Sequence, residues 1–208
     1  MKNKPYNIRK PRNYMERPVA RLSERDRFLI VCEGKKTEPN YFSDFPVPKK
    51  IVRIVGCGFN TIRLVEEAIT LKTSSNFEQV WCVFDHDDFP LENIAYAIQL
   101  AKNNNIQVAF SNESFELWYI LHFEYLTSAI SRHAYCDKLG DRDHFGFNYE
   151  KNAEHLYRTL LHRQDFALRN ARRLIQEYEV FDPATCNPST TIHLLVEQLN
   201  NQIGNYID

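Results

Sequence analysis

The chain has 208 residues, 43% hydrophobic and 25% charged, with a formal net charge of −1, which is the composition of a globular protein able to bury one sizeable core. No apolar run approaches the ~18 residues a membrane helix needs and the N-terminus lacks a secretory apolar segment, so a cytoplasmic protein without a membrane partner is expected. The five cysteines contain no C-x-x-C pair and the seven histidines no H-E-x-x-H pattern, which argues against disulfides and a zinc site.

The near-zero charge hides an uneven distribution. Lys2, Lys4, Arg9, Lys10, Arg12, Arg17, Arg21, Arg25 and Arg27 face only Glu16, Glu24 and Asp26 in the first 27 residues. Such an arm, with Tyr6 and Tyr14 interleaved, can track a phosphate backbone through contacts such as Arg9 and Arg12; it reads equally as a solvated, partly flexible tail. Residues 28–32 then form a continuous apolar run, the signature of a strand buried on both faces, ending in Glu33-Gly34. Thr37-Glu38-Pro39 opens a short helix carrying Tyr41 and Phe42. Residues 51–55 give a second strand, left through Gly56-Cys57-Gly58, and 61–72 an amphipathic helix through Ile62, Val65, Ala68 and Ile69. A third strand spans 80–84, a helix 91–103 and a fourth strand 106–110.

This alternation predicts an α/β fold with a mainly parallel four-stranded sheet, helices on both faces and ligand sites beyond the carboxyl ends of the strands. Past Ser111, residues 115–123 are apolar almost all round and predict a buried helix, with Glu116 its one carboxylate. Residues 127–150 show no periodicity and read as a loop. Helices are expected over 151–163, 166–178 and 189–202. In the last, Asn187-Pro188 supplies the start and Ser189, Thr190 and Thr191 place hydroxyls at the positive end. The domain reading is a basic arm over 1–27, an α/β core over 28–125 and a mainly helical region over 126–208 packed on that core.

The chemistry concentrates in Val83-Phe84-Asp85-His86-Asp87-Asp88, where a buried strand ends in three carboxylates. Asp85 and Asp87 can converge on one hard cation, for which Mg²⁺ or Mn²⁺ suits the oxygen donors; the same spacing also occurs in ordinary acidic turns. Neighbouring parallel strands bring Glu33, after the first strand, within reach of the same cation. That arrangement resembles the TOPRIM domain of topoisomerases, bacterial primases and certain nucleases, in which a Glu after the first strand and a D-x-D after the third form an acidic Mg²⁺ site.

The chain resembles the RloB-like family still more closely. The segments carrying this likeness are residues 30–42 (Ile-Val-Cys-Glu-Gly-Lys-Lys-Thr-Glu-Pro-Asn-Tyr-Phe), 81–88, 111–118 with Leu121-His122-Phe123, Tyr149-Glu150-Lys151, and Asn187-Pro188-Ser189-Thr190-Thr191, in that order. The resemblance implies a TOPRIM-like fold and a Mg²⁺- or Mn²⁺-dependent nuclease of bacterial anti-phage defence, with RNA or DNA as its substrate, and with nucleic acid and a defence-system protein as partners. It implies Glu33, Asp85 and Asp87 as metal ligands, with Glu33 also available as general acid or base. Glu116 and Asn112 would complete the pocket, and Asp88 or Glu38 would serve a second ion. Lys35, Lys36 and Lys151 would grip phosphate, Lys35 steadying the leaving oxyanion, while His122 reads better as a core histidine than as a proton shuttle. The competing reading is a non-catalytic module binding nucleic acid or a nucleotide through the arm and the Gly56/Gly58 loop. A phosphatase using Asp85 as nucleophile fits less well, because its D-x-D belongs after the first strand.

Overall fold

Phe28–Cys32 forms β1, buried throughout, as a run without a polar face requires. The computed structural model describes residues 27–86, 90–146 and 149–204. Within them follow α1 (Thr37–Ser43), β2 (Val52–Gly56), α2 (Thr61–Ser74), β3 (Gln79–Asp85), α3 (Leu91–Asn103) and β4 (Gln107–Asn112). The remainder comprises α4 (Glu116–Ile120), α5 (Arg132–Gly140), α6 (Arg142–Phe145), α7 (Leu156–Leu160), α8 (Gln164–Gln176), β5 (Ser189–Thr190) and α9 (Ile192–Gly204).

The sheet has five strands in the order β2-β1-β3-β4-β5, the first four parallel and β5 antiparallel to β4. This is an α/β architecture consistent with the TOPRIM-like expectation, with one short strand more than the sequence suggested. The period-two geometry of strands divides the core in two. Phe28, Ile30, Trp81 and Val83 face one cluster with α1, α4, α8 and α9, whereas Leu29, Val31, Val80, Cys82 and Phe84 face α2 and α3.

The chain leaves β1 toward β2, then returns past β1 to β3 and on to β4. Right-handed crossovers therefore put α1 on one face and α2 and α3 on the other. The loops after β1 and β3 consequently diverge, leaving a crevice between those two carboxyl ends, where open α/β sheets bind their ligands. Glu33 and Asp85 stand at that crevice.

Three expectations are corrected. Residues 127–150 are not simply a loop, because α5 and α6 lie there; α5 buries only Tyr135 and Leu139, too few apolar positions to reveal a period. The helix expected from Lys151 starts only at Leu156, after His155 takes a left-handed conformation (φ 66°). The helix expected from Ser189 begins at Ile192, since Ser189 and Thr190 pair with Asn112 and Ser111 as β5. The hydroxyls there serve the sheet: the Phe110 N–H donates to Thr191 Oγ1 at 2.8 Å, and the Ser111 and Thr190 hydroxyls meet at 2.9 Å.

Buried polar links tie the helices to one another. Trp118 Nε1–H donates to the Tyr41 hydroxyl at 2.9 Å, joining α4 to α1 amid Phe42, Phe45, Phe115 and Tyr157. Tyr41→Phe strands that indole N–H and is expected to cost about 1–3 kcal/mol in urea unfolding; no change would show the bond to be dispensable. His122 is fully buried, its Nδ1–H donating to the Trp118 carbonyl at 2.9 Å. Burial lowers its pKa to about 4, although the Trp118 and Tyr119 carbonyls favour the charged form. The unfolded chain binds that proton near pH 6.5, so the stability tied to neutral His122 is complete above that pH and is lost as pH falls toward about 4. Each pH unit in this window costs about 1.4 kcal/mol, a slope that His122→Leu is expected to flatten in urea melts at pH 6.5 and 5.

Candidate functional site

The turns after β1 and β3 are locked together. The Glu33 N–H donates to the Val83 carbonyl at 2.9 Å, and the Gly58 N–H to the Glu33 carbonyl at 2.7 Å. The Glu33 carboxylate spans the crevice, accepting from the Thr61 hydroxyl at 3.4 Å through Oε1 and from the Asp85 N–H at 3.3 Å through Oε2. It thereby connects the start of α2 to the end of β3. Gly34 lets Glu38 fold back over this turn and accept the Gly34 N–H at 3.3 Å; a Cβ on residue 34 would overlap the Glu38 carboxylate. Gly58 adopts φ +65° with the aliphatic chain of Lys35 lying across it, which binds the β1 and β2 exit loops together.

These turns open into a cavity of about 480 Å³. Its floor is acidic: Glu33, Glu38, Asp85 and Glu116 all line it. Glu38 and Glu116 are buried, and Glu116 accepts the Tyr149 hydroxyl proton at 2.8 Å. Burial and the Glu116 charge raise the Tyr149 phenol. The rim is basic, with Lys35, Lys36, Lys151 and Arg132. Lys151 is carried over the opening because the loop before α7 is pinned to α1: Thr37 Oγ1 donates to Asn152 Oδ1 at 2.9 Å and Asn40 Nδ2 to the Asn152 carbonyl at 3.0 Å. Arg132 opens α5 with its N–H donating to the Glu113 carboxylate at 2.9 Å and its guanidinium to the His86 carbonyl at 3.2 Å.

Asp85 is where the electrostatics are most demanding. Its position in β3, one residue beyond inward-facing Phe84, turns it to the α4 side of the sheet, toward Glu116. Burial, then the charges of Glu38, Glu116 and Glu33, push its carboxyl well above the usual range, and only the Phe115 N–H works the other way. Asp85 Oδ1 is buried without a hydrogen-bond partner. An orphaned carboxylate oxygen among three more carboxylates is the environment a hard divalent cation relieves, and a bound cation reverses the sign of these shifts. The donor set therefore fits Mg²⁺ or Mn²⁺. Among the described residues no three His, Cys, Asp or Glu side chains form a ready-made metal cluster, and Asp87 lies outside those residues.

Of the other residues singled out in the sequence, Lys35, Lys36, Glu116 and Lys151 line the cavity. Asn112 does not: it is buried where β4 pairs with β5, opposite Ser189, because the ladder continues two residues past the strand end the sequence suggested. Asp88, Arg9 and Arg12, with the rest of the arm through residue 26, lie outside the described residues. Sequence reasoning missed Arg132, His133 and Cys136, which α5 brings to the cavity wall, and Phe59, Asn60 and Asn152 at its mouth. Ser131, which caps α5 by accepting the Ala134 N–H, was the available signal for that helix.

Fold and site together define an α/β protein with a carboxylate-floored, cation-rimmed pocket at the crevice between two diverging parallel strands. The family model described as RloB-like protein matches residues 28–199, and the chain belongs to that family. No curated protein and no solved structure matches it. No helix among the described residues is long and apolar enough to cross a membrane.

The raised Asp85 carboxyl carries a linkage consequence. Without a cation, the stability tied to its proton is present at acid pH and is lost as pH rises through its folded-state pKa. Asp85→Asn should abolish that loss, so in EDTA the variant melts at or above the wild-type temperature at pH 8. Mg²⁺ at about 10–100 times its dissociation constant should stabilise wild type by about 1.4–2.7 kcal/mol and leave the variant unmoved. Equal Mg²⁺ shifts in the two proteins would place the ion elsewhere.

Proposed function

We propose that the chain is a Mg²⁺- or Mn²⁺-dependent phosphodiesterase that cleaves nucleic acid, a nuclease of bacterial anti-phage defence working in the cytoplasm. The observation that carries this reading is the Glu33–Asp85 pair: two carboxylates on adjacent parallel strands, joined through the Asp85 N–H, with Asp85 Oδ1 unpartnered on a cavity floor whose rim is basic. An acidic floor selects a cation and a basic rim selects an anion. A phosphodiester backbone lying over a bound divalent ion meets both requirements.

Glu33 and Asp85 would hold the ion, with Asp87 added by its place in the D-x-D spacing. The ion, when bound, supplies charge neutralisation at the scissile phosphate and acidifies a water. Lys35, Lys36, Lys151 and Arg132 orient the substrate by gripping phosphate oxygens, and Lys35, closest in sequence to Glu33, offsets charge on the leaving oxygen. Glu116 is oriented by the Tyr149 hydroxyl, which donates to its Oε1, while the residue lines the cavity. RNA is the favoured substrate only through the family resemblance, so DNA and RNA are compared directly.

Purified wild type, Glu33→Ala and Asp85→Ala are incubated with labelled single-stranded RNA, transfer RNA and plasmid DNA in Mg²⁺, Mn²⁺ or EDTA. Cleavage is expected in wild type with either ion, absent in EDTA, and reduced by at least ~10²-fold in both variants. Binding without cleavage on every substrate would favour the non-catalytic module. Wild-type cleavage by Asp85→Ala would sink the assignment of the site.

A further inference from the structure

β2 is the outermost strand of the sheet, at the edge opposite β5. The Phe28 N–H donates to the Ile51 carbonyl and the Cys57 N–H to the Cys32 carbonyl, with Phe28 opposite Val52 and Cys32 opposite Gly56. In a parallel ladder alternate residues bond the same neighbour, so this phase turns Arg53 and Val55 toward β1 and points the Ile54 N–H and C=O outward. No strand among the described residues meets them.

The open edge lies in a second groove of about 510 Å³, separate from the carboxylate pocket. Half-buried Val47, Val52, Ile54 and Phe77 give it an apolar floor. Val52 and Ile54 pack toward the α1 side of the sheet and Phe77 toward the α2 side, so the groove wraps both faces of the edge, as the alternating side chains of an added strand require. Arg27, Lys49, Lys50 and Arg53 line it as well, all exposed, and no Asp or Glu does so among the described residues. Among the described residues none of these four side chains joins a salt bridge; the Arg27 guanidinium rests 5.1 Å over the Phe77 ring, and the Glu78 carboxylate accepts the Arg27 backbone N–H.

We propose that this edge receives an acidic, extended segment of a partner protein as a sixth strand. A polypeptide alone satisfies the three features together: outward backbone groups at Ile54, an apolar floor open to both faces, and four exposed cations. A nucleic acid uses the cations and neither of the others. The chain's own residues 1–26 carry eight Lys and Arg against three Asp and Glu, and a second copy would set the four cations against themselves, so charge disfavours both. The groove flanks the amino end of β1, away from the turns bearing Glu33 and Asp85, so the partner leaves the carboxylate pocket open.

The test is independent of any nuclease activity because it runs in EDTA. Full-length protein is titrated with an end-blocked, fluorescent peptide of about ten residues alternating valine and glutamate, beside a valine–lysine peptide and a single-stranded oligonucleotide. Saturable binding of the acidic peptide alone is expected. Ile54→Pro removes the outward N–H while sparing the β1 ladder, and should weaken binding by at least about tenfold, as should Lys50→Glu with Arg53→Glu, thermal melting verifying that each variant folds. Absence of acidic-peptide binding, or binding untouched in both folded variants, overturns the proposal. So do oligonucleotide binding that competes through the same cations, a dimer dissolved by Ile54→Pro, and a gain in peptide affinity on removing residues 1–26. Those three outcomes assign the edge to nucleic acid, a second copy and the chain's own arm in turn.

Discussion

Everything at the carboxylate pocket depends on one placement: Glu33 and Asp85 end adjacent parallel strands on either side of the crevice between β1 and β3. Because the helices after those strands leave to opposite faces, backbone does not close over the gap. Because the strands are only one ladder spacing apart, the carboxylates cannot separate. The fold thus forces like charges together and buries one of them, an arrangement that is unfavourable without a cation or a proton. The raised Asp85 carboxyl and its unpartnered Oδ1 are the visible cost.

The remaining elements are disposed around that cost. Gly34 admits Glu38, Tyr149 fixes Glu116, and the contact of Asn152 with Thr37 and Asn40 holds Lys151 above the floor. On the α4 side, the aromatic cluster around Tyr41 and the Trp118–His122 contact make a rigid backing for the segment that carries Glu116. A pocket that buries charge needs such support, since a yielding wall would admit water and weaken the field that favours a bound cation.

The parts of the fold that were legible in the sequence are those whose burial is complete. β1 and β3 have no exposed face in their middles, so their apolar runs stood out, and α2 and α3 bury regular stripes. Glu33 and Asp85 were legible because a carboxylate directly after such a run has no structural reason to be there. What escaped was set by tertiary contacts. β5 is two residues long and exists only because Thr190 and Thr191 bond to β4. α5 buries two residues, and α7 starts late because Asn152 is bonded to Thr37 and Asn40 of α1 and His155 takes a left-handed conformation. Arg132 belongs to the pocket through that poorly marked α5, which is why its role was not apparent. The β2 edge groove gathers residues from four separated segments, a grouping no local pattern announces.

The central claim is that the β1–β3 crevice holds a divalent cation on Glu33 and Asp85. Mn²⁺ titration followed by electron paramagnetic resonance tests it without reference to substrate, using wild type, Glu33→Gln and Asp85→Asn. Saturable Mn²⁺ binding in wild type, displaced by Mg²⁺ and weakened by at least about tenfold in each variant, is the expected result. Wild-type Mn²⁺ affinity in both variants would contradict the account.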